Sequence, residues 1–221
     1  MKLTQKLTAE FVGTLMLLAT VVGSGIMGET LAAGNTAVAL WGNTAATGAI
    51  LVVLILMFGP ISGAHFNPAV TLVFLAQGQL KRTEAGAYIA TQIVAAIAGV
   101  LLAHAMFDMA LVQTSTHVRT GSGQWISEGV ATFGLLAAIL GTLRSKPDAV
   151  PYAVGLYITA GYWFTASTSF ANPAVTIARS FTDTFSGIAP QDVAAFIGMQ
   201  IVGAFIAMFL FKAFGQDKVD A

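Results

Sequence analysis

Asn172-Pro173-Ala174-Val175-Thr176 repeats, letter for letter, the earlier stretch Asn67-Pro68-Ala69-Val70-Thr71. Each copy follows a long apolar run and precedes a short one. Asn favours a helix N-cap and Pro is well tolerated at the first helical position, so each copy reads as the start of a helix. Two short helices therefore begin within the apolar bulk of the chain.

Working outward, the composition is 56% hydrophobic and 9% charged over 221 residues, far from the usual quarter charged in soluble domains. That places the chain in a lipid bilayer. A formal net charge of zero and no basic cluster argue against nucleic acid as a partner. With no cysteine, disulfides and thiolate metal sites are excluded. His65, His104 and His117 are too scattered for a metal site, and nothing implies a cofactor. Lys2 and Lys6 precede an apolar run from Leu7 to about Met27 that contains Glu10 and is too long for a signal segment, so it reads as an uncleaved first span.

Spans are expected at about 7–27, 38–59, 84–106, 124–143, 150–170 and 190–212. The remaining apolar pieces, Pro68 to about Ala76 and Pro173 to about Phe181, reach only ~12 to 15 Å at the helical rise. Neither can cross a ~30 Å hydrocarbon core, so each reads as a re-entrant half-helix. Six spans put both termini on one side. Lys2, Lys6, Lys81, Arg82, Arg144, Lys146, Lys212 and Lys218 fall on that side and only Arg119 and Arg179 on the other, which makes the termini cytoplasmic and the plasma (inner) membrane the expected location. The polar tail 215–221 is expected to be disordered.

The repetition extends beyond the pentapeptides. Residues 84–96 lie over residues 192–204 without a gap, and Ala9-Glu10-Phe11-Val12-Gly13-Thr14 echoes Ser127-Glu128-Gly129-Val130-Ala131-Thr132. One channel domain over 1–221 is expected, with repeat one at about 1–107 and repeat two at about 122–214. Three spans per repeat is an odd number, so the halves are inverted and the N-termini of the half-helices meet near the midplane. Those ends carry unpaired N–H groups and a partial positive charge. Such a midpoint suits an uncharged hydrogen-bonding solute and repels cations, and the irregular backbone before Asn67 is tolerated at that depth only beside protein or water. The fold class read from the residues is an all-α membrane protein of six spans and two half-helices.

The six spans, the doubled Asn-Pro-Ala signature, the stretch Ser62-Gly63-Ala64-His65-Phe66-Asn67-Pro68-Ala69-Val70-Thr71 and the paired Glu10 and Glu128 resemble the aquaporin, or major intrinsic protein, family over nearly the whole chain. The resemblance implies a homotetramer, one pore per subunit, passive transport of water or small neutral solutes, and no enzymatic activity. It implies that Asn67 and Asn172, with Pro68, Ala69, Pro173 and Ala174, form the pore signature. Glu10 and Glu128 are costly as lone carboxyls in apolar spans. They are expected to accept hydrogen bonds from the half-helix loops, with Gln92 and Gln200 in the same supporting role.

The family resemblance also places an Arg three residues after the second signature Asn, in a narrow filter. Here that residue is Val175, as in an atypical bacterial-type member. Counting from the signatures, the other filter positions are Thr47, Ala160 or Gly161, and Ser169. All are small or short, so a wide filter is expected. Glycerol facilitators of the family carry Asp after the filter Arg, whereas this chain has Thr176. Arg179, one turn beyond Val175, has two readings: an outer-vestibule residue leaning toward the pore, or a partner of Asp183. His65 is expected in the inner vestibule. The function read from this is a channel for polyols, urea-like solutes or metalloid acids such as arsenous acid, and water. A narrow water channel, a coupled secondary transporter and a structural junction protein are the other readings. Gly23-Ser24-Gly25-Ile26-Met27-Gly28 matches a dinucleotide fingerprint but follows no βαβ pattern, and its small residues are expected to permit close helix contact, like Gly86, Ala90, Gly198 and Gly203.

Overall fold

A computed structural model of the chain describes residues 1–215; the rest of the tail expected to be disordered, 216–221 with Lys218, lies outside them. Eight α-helices form among the described residues: α1 (Leu3–Leu31), α2 (Thr36–Ser62), α3 (Pro68–Ala76), α4 (Arg82–Met106), α5 (Ser122–Ser145), α6 (Val150–Phe164), α7 (Pro173–Arg179) and α8 (Pro190–Ala213). Five of them, α1, α2, α4, α5 and α8, are long and apolar enough to cross a membrane. The fifth expected span ends early. α6 has 15 residues, about 22 Å of helix, and the chain from Thr165 to Asn172 runs on as the loop that delivers α7. A buried chain must find partners for every backbone group, and in this stretch many come from side chains of α5, with Arg119 and Asn67 supplying others.

The helix boundaries follow from local chemistry. The Asn35 side chain accepts from the backbone N–H of Ala37 and Val38 and so starts α2, which ends on Gly63 at φ 87°, a left-handed conformation suited to glycine. α3 begins at Asn67 in an extended conformation, its Oδ1 2.9 Å from the Ala69 N–H, with Pro68 as first helical residue. α7 begins identically, with Asn172 Oδ1 accepting from Ala174 and Val175 at 3.0 and 3.3 Å. At 9 and 7 residues, the half-helices span about 13 and 10 Å.

α1 and α4 run away from the face that bears the N-terminus and α2 runs back; α6 runs away from it, and α5 and α8 run back. The described chain thus begins and ends on one face. Val53, Met57, Leu156 and Phe209 are exposed on the outside, apolar where lipid would contact them, while the polar side chains are turned inward. Small residues set helix spacing at some of the expected places. A Cβ on Gly203 would run into the Gly129 carbonyl, and one on Gly28 would lie 2.9 Å from the Ala39 carbonyl oxygen. Gly23 to Gly28 lie inside continuous α1, so they form no phosphate loop. Gly86, Ala90 and Gly198 make no such contact within the chain: they lie on its outer surface, with nothing near the two glycines.

Candidate functional site

Two loops, 62–67 and 167–172, enter the middle of the protein, and each is braced by one carboxyl group. Glu10 Oε1 accepts from Ser62 Oγ at 2.7 Å and the His65 N–H at 3.0 Å; Oε2 accepts from the Phe66 N–H at 2.7 Å and Gln92 Nε2 at 2.8 Å. Glu128 does the same in the other half. Its Oε1 takes Ser167 Oγ at 2.6 Å and the Phe170 N–H at 2.9 Å, and its Oε2 takes the Ala171 N–H at 2.9 Å and Gln200 Nε2 at 2.6 Å. Gln92 and Gln200 also donate to Thr71 and Thr176, at 3.0 and 2.8 Å. Both glutamates are fully buried, and each gives its two oxygens to four donors, which offsets the cost of placing a carboxyl in an apolar span.

The braces hold a strained backbone. Ala64 and Phe66 have φ of 51° and 49°, and their counterparts Ser169 and Ala171 have 51° and 49°; Gly63 and Thr168 match at 87° and 63°. A non-glycine residue in this region costs about 1–3 kcal/mol and persists only where its surroundings over-determine it. The residues also compensate in size. Gly13 lies so close to the Phe66 ring that a Cβ there would overlap it, whereas the corresponding pair in the other half is Ala131 and Ala171.

The two Asn side chains tie the loops to each other. Asn67 Nδ2 donates to the Ala171 carbonyl at 2.7 Å, and Asn172 Nδ2 donates to the Phe66 carbonyl at 2.8 Å. Each Oδ1 is used as a helix cap. An amide has two N–H donors, so one remains on each Asn, beside a cavity of about 770 Å³ that both residues line. The cavity reaches from Pro147 and Asp148, on the face of the termini, to Arg179 near the opposite face. Leu51, Val154, Ile158 and Val175 give it an apolar wall; His65, Thr47, Asn67 and Asn172 interrupt that wall with polar groups. His65 Nδ1 lies 3.1 Å from Thr71 Oγ1. That hydroxyl is also within hydrogen-bond distance of the Asn67 carbonyl and accepts from Gln92 Nε2, which ties the imidazole to the start of α3.

Thr47, Ser169, Val175, His65 and Arg179 all line this cavity. Ala160 and Gly161 do not. Ala160 is exposed on the outer surface and Gly161 packs against Ser169, where a Cβ would come 2.6 Å from the Oγ. The α6 stripe facing the cavity is Val154, Ile158 and Tyr162, spaced by four residues, and the Tyr162 hydroxyl donates to Thr47 Oγ1 at 3.3 Å. An aromatic ring thus stands where a small residue was expected. Arg179 is 2% exposed, donates through Nε to the Ser186 carbonyl, and lies with its guanidinium carbon 3.4 Å from the centre of the Phe170 ring. It does not pair with Asp183. That carboxyl accepts from the backbone N–H and hydroxyl of Thr116, which hold it below its ordinary range.

Sequence reasoning gave no role to Arg119 or Phe170. Aligning the two loops shows Phe170 at the position of His65, a signal that was available. Arg119 sits in the 107–121 connection, which has no counterpart in the other half. It donates to the Gly187 and Ser167 carbonyls at 2.8 and 3.3 Å, and its guanidinium lies 5.0 Å from the Phe170 ring centre.

The sequence model of the major intrinsic protein family matches residues 1–160. Aquaglyceroporin AqpS of Rhizobium meliloti (strain 1021) is 58% identical over 210 residues, covering 95% of this chain and 90% of that protein. Aquaporin A of Dictyostelium discoideum is 29% identical over 226 residues, covering 96% of this chain and 79% of its own. The X-ray structure of the aquaglyceroporin from Plasmodium falciparum superposes with a TM-score of 0.75 over 99% of this chain and 98% of that one, at 20% identity, a likeness of fold. Members of this family are channels and not enzymes. Two braced loops, two facing Asn caps and one continuous cavity in an apolar helical shell are therefore the parts of a known architecture: the chain belongs to the major intrinsic protein family and is an integral membrane channel for water and small solutes.

Proposed function

We propose that this channel passes neutral solutes larger than water, among them polyols, urea-like molecules and undissociated metalloid acids such as arsenous acid, together with water. The observation that carries the reading is Val175. Where the family places a guanidinium in its filter, this chain has an isopropyl group, 5% exposed and on the cavity wall. Valine leaves open the space an Arg would fill. The name aquaglyceroporin on the 58%-identical relative supports passage of solutes beyond water.

In this reading the remaining amide N–H groups of Asn67 and Asn172 donate to the passing solute, with Pro68, Ala69, Pro173 and Ala174 fixing the helix starts behind them. Thr47, Tyr162, Ser169 and Val175 form the filter, His65 lies in the inner vestibule and Arg179 in the outer one. An apolar wall facing spaced polar groups suits a solute with carbon on one edge and hydroxyls on the other. One chain forms one pore from two inverted repeats, about 1–107 and 122–214, and four chains form a homotetramer. The clustering of Lys2, Lys6, Lys81, Arg82, Arg144, Lys146 and Lys212 on one face supports cytoplasmic termini in the plasma membrane. Tyr162 favours the narrower alternative of a water-selective channel, because its ring occupies part of the filter.

Stopped-flow light scattering on proteoliposomes separates the two. Water, glycerol, urea and arsenous acid are all expected to cross faster than in empty vesicles, with flux linear in the gradient and indifferent to pH and sodium gradients. Water conduction with exclusion of both glycerol and arsenous acid would refute the wide-filter reading.

A further inference from the structure

The end of the cavity away from the chain termini holds a buried positive charge that, among the described residues, makes no ion pair. Arg179 is 2% exposed, and of its five N–H donors only the one on Nε has an acceptor, the Ser186 carbonyl, among the described residues. Its terminal nitrogens have none, and Arg179 lines the cavity. Beneath it lies the ring of Phe170, which also carries the Arg119 guanidinium. No carboxyl forms an ion pair with either guanidinium among the described residues; buried Asp192, near Arg119, accepts the Arg119 backbone N–H and the Thr120 hydroxyl instead. Among the described residues the one ion pair is Lys6 with Glu84, Asp183 is held by Thr116, and the oxygens of Glu128 are committed to the loop.

A buried guanidinium that offers its terminal donors to a cavity, with an aromatic face behind it, has the donor set of an oxyanion receptor. We propose that this end of the cavity is a binding site for one small oxyanion, such as phosphate or a short carboxylate, held by Arg179, and that the bound anion obstructs the pore. Two oxygens of the anion take the in-plane donors of the guanidinium. Chloride, with no pair of oxygens to match the fork, should bind more weakly. The obstruction rests on the cavity being the solute path; the binding does not.

Inorganic phosphate is the probe, with chloride at matched ionic strength and osmolarity as the control. Purified protein is titrated with phosphate by calorimetry, and osmotic water flux of proteoliposomes is measured over the same range. Saturable binding by the wild type is expected, with water flux falling at least about threefold at saturation, and Arg179→Gln should lose both responses. Arg179→Lys keeps the charge without the planar fork and should bind at least about tenfold more weakly; it serves as the test should Arg179→Gln not fold. Wild-type protein that does not bind phosphate would overturn the proposal, as would equal binding by either variant. Binding without any fall in water flux would overturn the obstruction and leave the solute reading to be judged on its own panel.

Discussion

Glu128→Gln should give a protein that no longer conducts and that unfolds at a lower temperature than the wild type. The substitution keeps the shape of the side chain and changes one oxygen to an NH2 group. Either oxygen position meets two donors: Ser167 Oγ and the Phe170 N–H on one, the Ala171 N–H and Gln200 Nε2 on the other. Whichever way the amide turns, two buried donors face a third donor. Each buried polar group left unpaired costs about 1–3 kcal/mol, and the left-handed residues of the loop lose the contacts that enforce them. The Asn172 cap then loses its fixed position against the Phe66 carbonyl. Glu10→Gln is expected to act alike, because Glu10 meets the same set of four donors, a Ser hydroxyl, two backbone N–H groups and a Gln amide. Thermal unfolding and flux per reconstituted protein read both effects. Unaltered stability in both variants would show that the carboxyl groups do not brace the loops.

Val175→Arg should separate water from the larger solutes. The residue lies in the first turn of α7 with its N–H on the Asn172 cap, on the cavity wall with Tyr162 and Thr47. A guanidinium there fills the space beside the Tyr162 ring. Glycerol and arsenous acid permeability is expected to fall at least about tenfold, since a clash costs a bulky solute more than it costs water. Water flux should persist. A solute range equal to that of the wild type would mean that position 175 does not bound the path.

Much of this architecture is legible in the sequence because it is written twice. The pentapeptides fix α3 and α7 through one cap chemistry, Asn then Pro, and the paired Glu and Gln positions already point to loop bracing. Periodicity did less well on α6. Its apolar run continues past Phe164, but the structure ends the helix there because the following residues are needed as the loop that Glu128 holds. Counting from the signatures then placed Ala160 and Gly161 in the filter, although the inward stripe of α6 passes through Ile158 and Tyr162. A helix rotates by 100° per residue, so an error of one or two positions changes the face. Small residues were a weak guide for a related reason: Gly203 meets a neighbouring backbone while Gly86 and Gly198 face outward, and composition alone does not distinguish them. Arg119 was beyond reach because its partners, the carbonyls of Ser167 and Gly187, are backbone groups distant in the chain that carry no mark in the sequence.

A wide filter requires position 175 to face the path of the solute, and the absence of cysteine from the chain permits a direct measurement. Val175→Cys introduces a single thiol of similar size. Proteoliposomes carrying this variant should conduct glycerol and then lose that flux on treatment with an aqueous methanethiosulfonate reagent, while wild-type vesicles ignore the reagent. Complete modification of the thiol with glycerol flux unchanged would contradict the account.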